Sequence, residues 1–351
     1  MVFSGRRILS GVAAVLCASL LLGMAACSRP ASPPAPSAGG TEQKPPSEPL
    51  PKLIIKGPMS PPSILLARLA EQEDLSSNAQ SVEFGTYKDP DQLRAEVTSG
   101  KIHVAAVPTY VAANLYRRGI PVQLLNVSVW GILHVMTADE SIQTWDDLRG
   151  KSVFIPFKGD MPDLVFRYLA SQHGLNPEKD MNLQYVSAPT EAMQMLLAGK
   201  AQVAVLHEPA STAAMVQGQK KGLKVHSVLD LQQEWGKVTG RAARIPQAGT
   251  MIIGNLAQTH PDLVAQLQSG LDSAADWIAA NPSDAAKLGA AHLGGLQAPI
   301  IEKSLARTPI EVVPAADVRE ELEFFFSRLL ELSPDLIAGG LPDDGFYYSG
   351  R

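Results

Sequence analysis

Apolar positions along this chain follow two alternating rhythms. Short runs of five or six residues, such as "KLIIKG" (52–57), "IHVAAV" (102–107) and "AQVAVL" (201–206), have the length of buried strands. Between them, apolar residues recur every three or four positions in "PSILLARLAEQE" (62–73), "PDQLRAEVTSG" (90–100) and "TYVAANLYRRG" (109–119), the spacing of one helical face. "SVEFGTY" (81–87) adds another strand, and "PVQLLNVSVWGILHVMTA" (121–138) holds two apolar runs around Trp130 and Gly131. The pattern then restarts with a strand at 152–156, the helix "PDLVFRYLASQHG" (162–174), the strand "NLQYVS" (182–187) and the helix "TEAMQMLLAG" (190–199). Such alternation predicts an α/β architecture of mostly parallel sheets flanked by helices. From "TMIIGN" (250–255) onward the chain reads as mostly helical.

One phrase is written twice. "SGKIHVAAVP" (99–108) and "AGKAQVAVLH" (198–207) each follow a helical stretch and each lead into another. Two similar lobes that present matching strand ends to one cleft would produce this repeat, since open α/β sheets bind ligands at the carboxyl ends of their strands. The second strand–helix unit is inserted in the first, which predicts lobe I at 52–135 and 249–351 and lobe II at 136–248. Segments near 131–138 and 246–254 then cross between them as hinges.

The first 26 residues depart from this pattern. Arg6 and Arg7 precede the apolar run "ILSGVAAVLCASLLLGMAA", which ends in small residues, the grammar of a secretory signal. Met24-Ala25-Ala26-Cys27 resembles a bacterial lipobox, so Cys27 is the expected lipidation site, its fatty-acyl (palmitate-type) chains holding the chain at a membrane surface. Residues 27–51 are rich in Pro, Ser and Gly and read as an extended tether. Cys17 leaves with the signal, so the mature body has no disulfide, thiol nucleophile or cysteine-based metal site.

Charge and motifs narrow the chemistry. A formal charge of −5 without a basic cluster argues against nucleic acid as a partner. Gly150-Lys151-Ser152 looks like the tail of a phosphate-binding loop, but position 145 is Trp and the segment leads into a strand. Neither a G-x-S-x-G elbow, an H-E-x-x-H motif nor a glycine-rich dinucleotide fingerprint occurs. His207 and Glu208 are neighbours on an extended chain and point apart, so they form a poor metal site. No cofactor, metal or catalytic residue is expected.

Taken in order, several pieces are similar to one family. They are the GK-strand phrase at 100–107, Gly119-Ile120-Pro121-Val122, Asp147 to Lys151 before a strand, Gly174-Leu175, Ala198 to Pro209, His260-Pro261 and the closing "LPDDGFYY". Together they resemble the substrate-binding proteins of ABC importers, in the nitrate/sulfonate/taurine and thiamine-precursor group (periplasmic binding protein, type II-like). The resemblance implies two lobes joined by two hinge segments, closing around a small molecule and handing it to permease and ATPase subunits. It implies a monomeric lipoprotein outside the cytoplasm, facing the periplasm or cell exterior. An exported enzyme or a ligand-sensing adaptor on the same fold is the alternative.

Ligand contacts are then expected at the cleft turns: Met59 and Ser60; Pro108, Thr109 and Tyr110; Lys158, Gly159, Asp160 and Met161; His207 and Glu208. Trp130 and Gly131 at the crossing would supply an apolar wall. Pro61, Pro62 and Pro209 remove N–H donors from these turns, and Glu208 and Asp160 repel anions. Phe157 joins the apolar lining. The expectation is a small organic solute, with a cationic or amine part left open, rather than nitrate or bicarbonate.

Overall fold

The computed structural model of the chain describes residues 48–88 and 90–350. The expected signal segment at 1–26, the Cys27 lipidation site and the tether up to residue 47 lie outside the described residues. The end of the tether already belongs to the fold, because Leu50 bridges Ala79 in parallel and its N–H donates to Asn78 O at 2.9 Å.

Strands and helices alternate as the pattern predicts. β1 is Leu53–Pro58, α1 Pro62–Ala70, β2 Val82–Tyr87, α2 Pro90–Thr98, β3 Val104–Pro108, α3 Thr109–Arg117 and β4 Val122–Val129. After a crossing at 130–132 come β5 Leu133–Thr137, β6 Ser152–Pro156, α4 Met161–Gln172, α5 Pro177–Asp180, β7 Asn182–Val186 and α6 Pro189–Leu197. β8 Val203–His207, α7 Ala210–Lys220, β9 His226–Asp230 and α8 Leu231–Thr239 follow. A second crossing at 240–247 returns the chain to β10 Ala248–Ile253, then α9 Leu256–Thr259, α10 Pro261–Ala280, α11 Pro282–His292, α12 Ala298–Leu305, β11 Ile310–Pro314 and α13 Arg319–Leu332.

The strands form two sheets, ordered β11-β4-β10-β3-β1-β2 and β7-β6-β8-β5-β9. Both are mixed. β1, β2 and β3 run parallel, as do β6, β7 and β8, with crossover helices between successive strands of each trio turning the chain back toward the same edge. β5 and β10 run against them because each enters its sheet directly from a crossing and must head away from the cleft. The carboxyl ends of the parallel strands therefore share the edge at which the crossings lie. β11 was not legible in the sequence: it is a short edge strand ending in proline, within the stretch read as helical.

Each sheet is covered on both faces. One core joins the first sheet to α1, α10 and α11 through Ile64, Leu263 and Ala285, and another joins the second sheet to α6 and α7 through Met193, Leu196 and Ala213. The third runs through both lobes: Val111 of α3, Phe166 of α4, Trp235 of α8 and Phe325 and Phe326 of α13 belong to one buried cluster. Trp235 meets Phe324 and Phe325 edge-on, with centroids 5.9 and 5.8 Å apart. Fully burying side chains of this size is worth about 1.5–3 kcal/mol each, so α13 is a strong brace behind the crossings.

Candidate functional site

Gln247 locks the two crossings to each other, and Gln232 of α8 holds the end of the first. Ile132 N donates to Gln247 Oε1 at 2.9 Å and Leu133 N to Gln232 Oε1 at 3.0 Å, so buried amides that no strand serves still find acceptors. Gly131 sits between them at φ +93°, where an added Cβ would fall 2.1 Å from Gln232 Cγ; only glycine fits. Trp130 is buried: its Nε1 donates to Glu311 O at 2.7 Å and the Arg244 guanidinium covers its ring at 4.1 Å. In this geometry it packs the hinge, with one face given to Arg244.

The repeated strand tips attach to these crossings in matching ways. At the end of β3, Thr109 N donates to Gln247 O at 3.1 Å and Thr109 Oγ1 to Pro246 O at 2.6 Å. At the end of β8, Glu208 N donates to Ile132 O at 3.0 Å. Pro108 is partly buried, and Thr109 and Glu208 are fully buried.

Glu208 gathers donors around its carboxylate. Ser211 Oγ donates to Oε1 at 2.5 Å, Thr212 N to Oε2 at 3.3 Å, and Arg307 Nε to Oε1 at 2.6 Å. Arg307 comes from the first lobe, between α12 and β11, so this ion pair ties the lobes together. His134 Nε2 lies 3.9 Å from Oε1, too far to bond; burial first, then the Arg307 charge, hold its pKa below the ordinary value. His134 Nε2, Thr212 Oγ1 and Arg307 Nη2 are buried without a hydrogen-bond partner in the protein. His207 is partly buried, its Nδ1 2.7 Å from Glu208 O. Arg307 escaped the sequence reading because nothing in the local pattern marks a lone arginine 99 positions from its partner.

A second tie joins the lobes at α3 and α4. The Tyr110 hydroxyl, on a buried side chain, donates to Asp160 Oδ1, and the same oxygen accepts from Met161 N at 2.6 Å as the N-cap of α4. Asp163, three residues on, accepts from Gly159 N at 2.9 Å and from the Tyr185 hydroxyl at 3.1 Å; burial raises its pKa despite these bonds. Met161 is buried beneath this turn. The structure thus brings Tyr110 and Asp160 together, and gathers His207 and Glu208 with Arg307.

The remaining expected residues stay accessible. Lys158 and Gly159 are exposed, with the Lys158 ammonium 5.2 Å from the centre of the Tyr185 ring, and Ser60 is partly buried. Met59 and Phe157 are each 40% accessible, two of the four large apolar side chains exposed among the described residues. One follows β1 in the first lobe and the other follows β6 in the second. Surface hollows lined by Arg167, Leu175 and Leu332, and by Ala138, Leu197 and Gln202, involve none of these turns. Among the described residues no cluster of three His, Cys, Asp or Glu is arranged to hold a metal ion, and no helix is long and apolar enough to cross a membrane.

Comparison with known proteins adds to this geometry. Residues 65–297 match the model of a family described as ABC transporter, phosphonate, periplasmic substrate-binding protein. A Bacillus subtilis protein named as a binding protein, YtlA, is 25% identical over 134 residues, which span 38% of this chain and 36% of that relative's length. An ABC transporter structure from Parabacteroides distasonis superposes with a TM-score of 0.73 at 21% identity, covering 85% of this chain and 99% of the other. The periplasmic aliphatic sulphonate binding protein SsuA of Escherichia coli gives 0.62 at 19% identity, covering 80% and 93%. The periplasmic nitrate-binding protein NrtA of Synechocystis PCC 6803 gives 0.60 at 15% identity, covering 82% and 84%. These structures share the two-lobed fold.

Proposed function

The chain belongs to the ABC-transporter phosphonate periplasmic substrate-binding family, and on that premise we propose that it captures a small organic oxyanion between its lobes and delivers it to an importer. In this reading the two sheets are the two jaws, the crossings are the hinges, and the protein binds without catalysis, as a monomer. Cys27 anchors it by lipid outside the cytoplasm, and the permease and ATPase subunits are its partners.

One observation carries the reading. The carboxyl ends of parallel strands from two sheets meet across the same crossings through Tyr110 with Asp160, and the end of β8 is tied at Glu208 to Arg307, which leads into β11 of the other sheet. Ligand contacts made by both jaws would shift such a hinge toward closure. The family name and the sulfonate-binding neighbour favour an oxyanion head. The exposed Met59 and Phe157 favour an organic rather than an inorganic one. An amine group on the ligand is no longer favoured, because both carboxylates that would have read it, Glu208 and Asp160, are already engaged within the protein.

A thermal-shift screen of the chain against alkyl- and arylphosphonates, sulfonates, inorganic phosphate and nitrate tests this. A true ligand at a hundred times its Kd adds about 2.7 kcal/mol of stability. Stabilisation by nitrate or phosphate alone would refute the organic assignment, and stabilisation by none of the panel would refute the oxyanion class.

A further inference from the structure

Phe157 is an outlier on three counts. Its backbone has φ +61°, a region in which Ala338 is the only other non-glycine among the described residues. Bulky residues rarely occupy it, and glycine does so without steric penalty; the same turn uses glycine at Gly159, φ +74°. It is also the one exposed phenylalanine among the described residues, and it belongs to none of the apolar clusters that build the cores.

The surroundings impose this conformation. Phe157 N donates to Val186 O at 3.0 Å, and Asp160 N donates to Phe157 O at 3.0 Å, so the turn is pinned to the end of β7 and to the start of α4. Core packing does not account for a strained, unclustered aromatic ring at this place. Strain of this kind concentrates at ligand clamps, where the surrounding structure holds a side chain in position for a partner. The turn faces the other lobe, since its Asp160 receives the Tyr110 hydroxyl. On that lobe Met59 offers a second exposed apolar side chain, close against Gly294, where an added Cβ would fall 2.4 Å from the Met59 methyl carbon.

We infer that Phe157 is a specificity-determining residue whose ring, with Met59 on the opposite lobe, receives the alkyl or aryl group of the ligand. The cleft then discriminates organic phosphonates and sulfonates from inorganic phosphate by their apolar part. This rests on the solute-binding reading above and deepens it by naming what the carbon side of the ligand touches.

The test compares the wild-type chain with Phe157→Gly and Phe157→Tyr, using calorimetric titration with phenylphosphonate, butylphosphonate, butylsulfonate and inorganic phosphate, together with melting temperatures. Phe157→Gly relieves the backbone while deleting the ring. It is expected to melt no more than about two degrees below wild type and to bind the organic probes about tenfold more weakly or worse, a loss of about 1.4 kcal/mol. Phe157→Tyr is expected to bind within about threefold of wild type, a difference near 0.7 kcal/mol. Organic affinity unchanged in Phe157→Gly overturns the inference while leaving the solute-binding reading intact. A melting temperature many degrees lower also overturns it, because the ring is then part of the fold. A wild-type chain that binds none of the probes overturns the solute-binding reading and the inference together.

Discussion

The tip of β3 and the tip of β8 are near-copies in sequence and perform the same backbone task. Each follows a glycine at positive φ, Gly100 at +66° and Gly199 at +69°, and each ties its last N–H to a crossing carbonyl. They part at the side chain. Thr109 spends its hydroxyl on a neutral carbonyl of the second crossing, whereas Glu208 buries a charge paired with a guanidinium from the other lobe. The repeat therefore encodes hinge attachment, and the difference between the copies sets how each lobe depends on the other. One tip needs only neutral bonds to the crossing beside it; the other also needs the charge of Arg307.

Removing Arg307 should break that comparison most sharply. Arg307→Ala leaves the fully buried Glu208 carboxylate without its counter-ion, a loss of about 3–5 kcal/mol in urea denaturation. Adding Glu208→Gln removes the stranded charge, so the double variant should be more stable than Arg307→Ala alone, the signature of direct coupling. Equal stability of the single and double variants would show that the pair is not coupled. At the other tip, Thr109→Val deletes one neutral hydrogen bond to the second crossing. About 1–2 kcal/mol should be lost there, with no dependence on Arg307. A loss at Thr109 as large as that at Arg307 would erase the distinction between the tips.

Much of the scaffold was legible because it rests on local patterns. The strand–helix alternation, the terminating glycines and the doubled phrase all follow from short-range hydrophobic spacing and backbone freedom. The charged and polar parts of the candidate site were less legible. Asp160 and Glu208 were read as free to face a ligand, yet both are engaged by residues that lie far away in sequence, Tyr110 and Arg307. Gln232 and Gln247 look like ordinary polar residues until the crossing places unserved amides beside them. β11 stayed hidden because an edge strand exposes part of its surface and loses the clear apolar run of a central strand. Backbone strain at Phe157 leaves no trace in the pattern, since glycine is the residue that normally announces such a turn.

An effect of pH sharpens the same contrast between lobes, through two histidines. In the first lobe His103 Nδ1 accepts the Ile54 N–H at 3.0 Å, and in the second His134 lies buried beside Arg307, Asp230 and Glu208. Burial is the main cause that holds both below the ordinary value of 6.5. The unfolded chain therefore takes up these protons first as the solution is acidified, and the folded state loses ground in proportion. Stability should be full above about pH 7 and decline toward pH 5, by at most about 1.4 kcal/mol per pH unit for each histidine. His134→Gln should flatten that decline while leaving the part due to His103, whose protonation would also disrupt the Ile54 bond, and to His207, which burial likewise holds low. Urea midpoints measured at half-unit intervals between pH 7 and 5 decide it: a wild-type midpoint that rises with acid would reverse the assigned direction, and a slope unchanged in His134→Gln would take that residue out of the account.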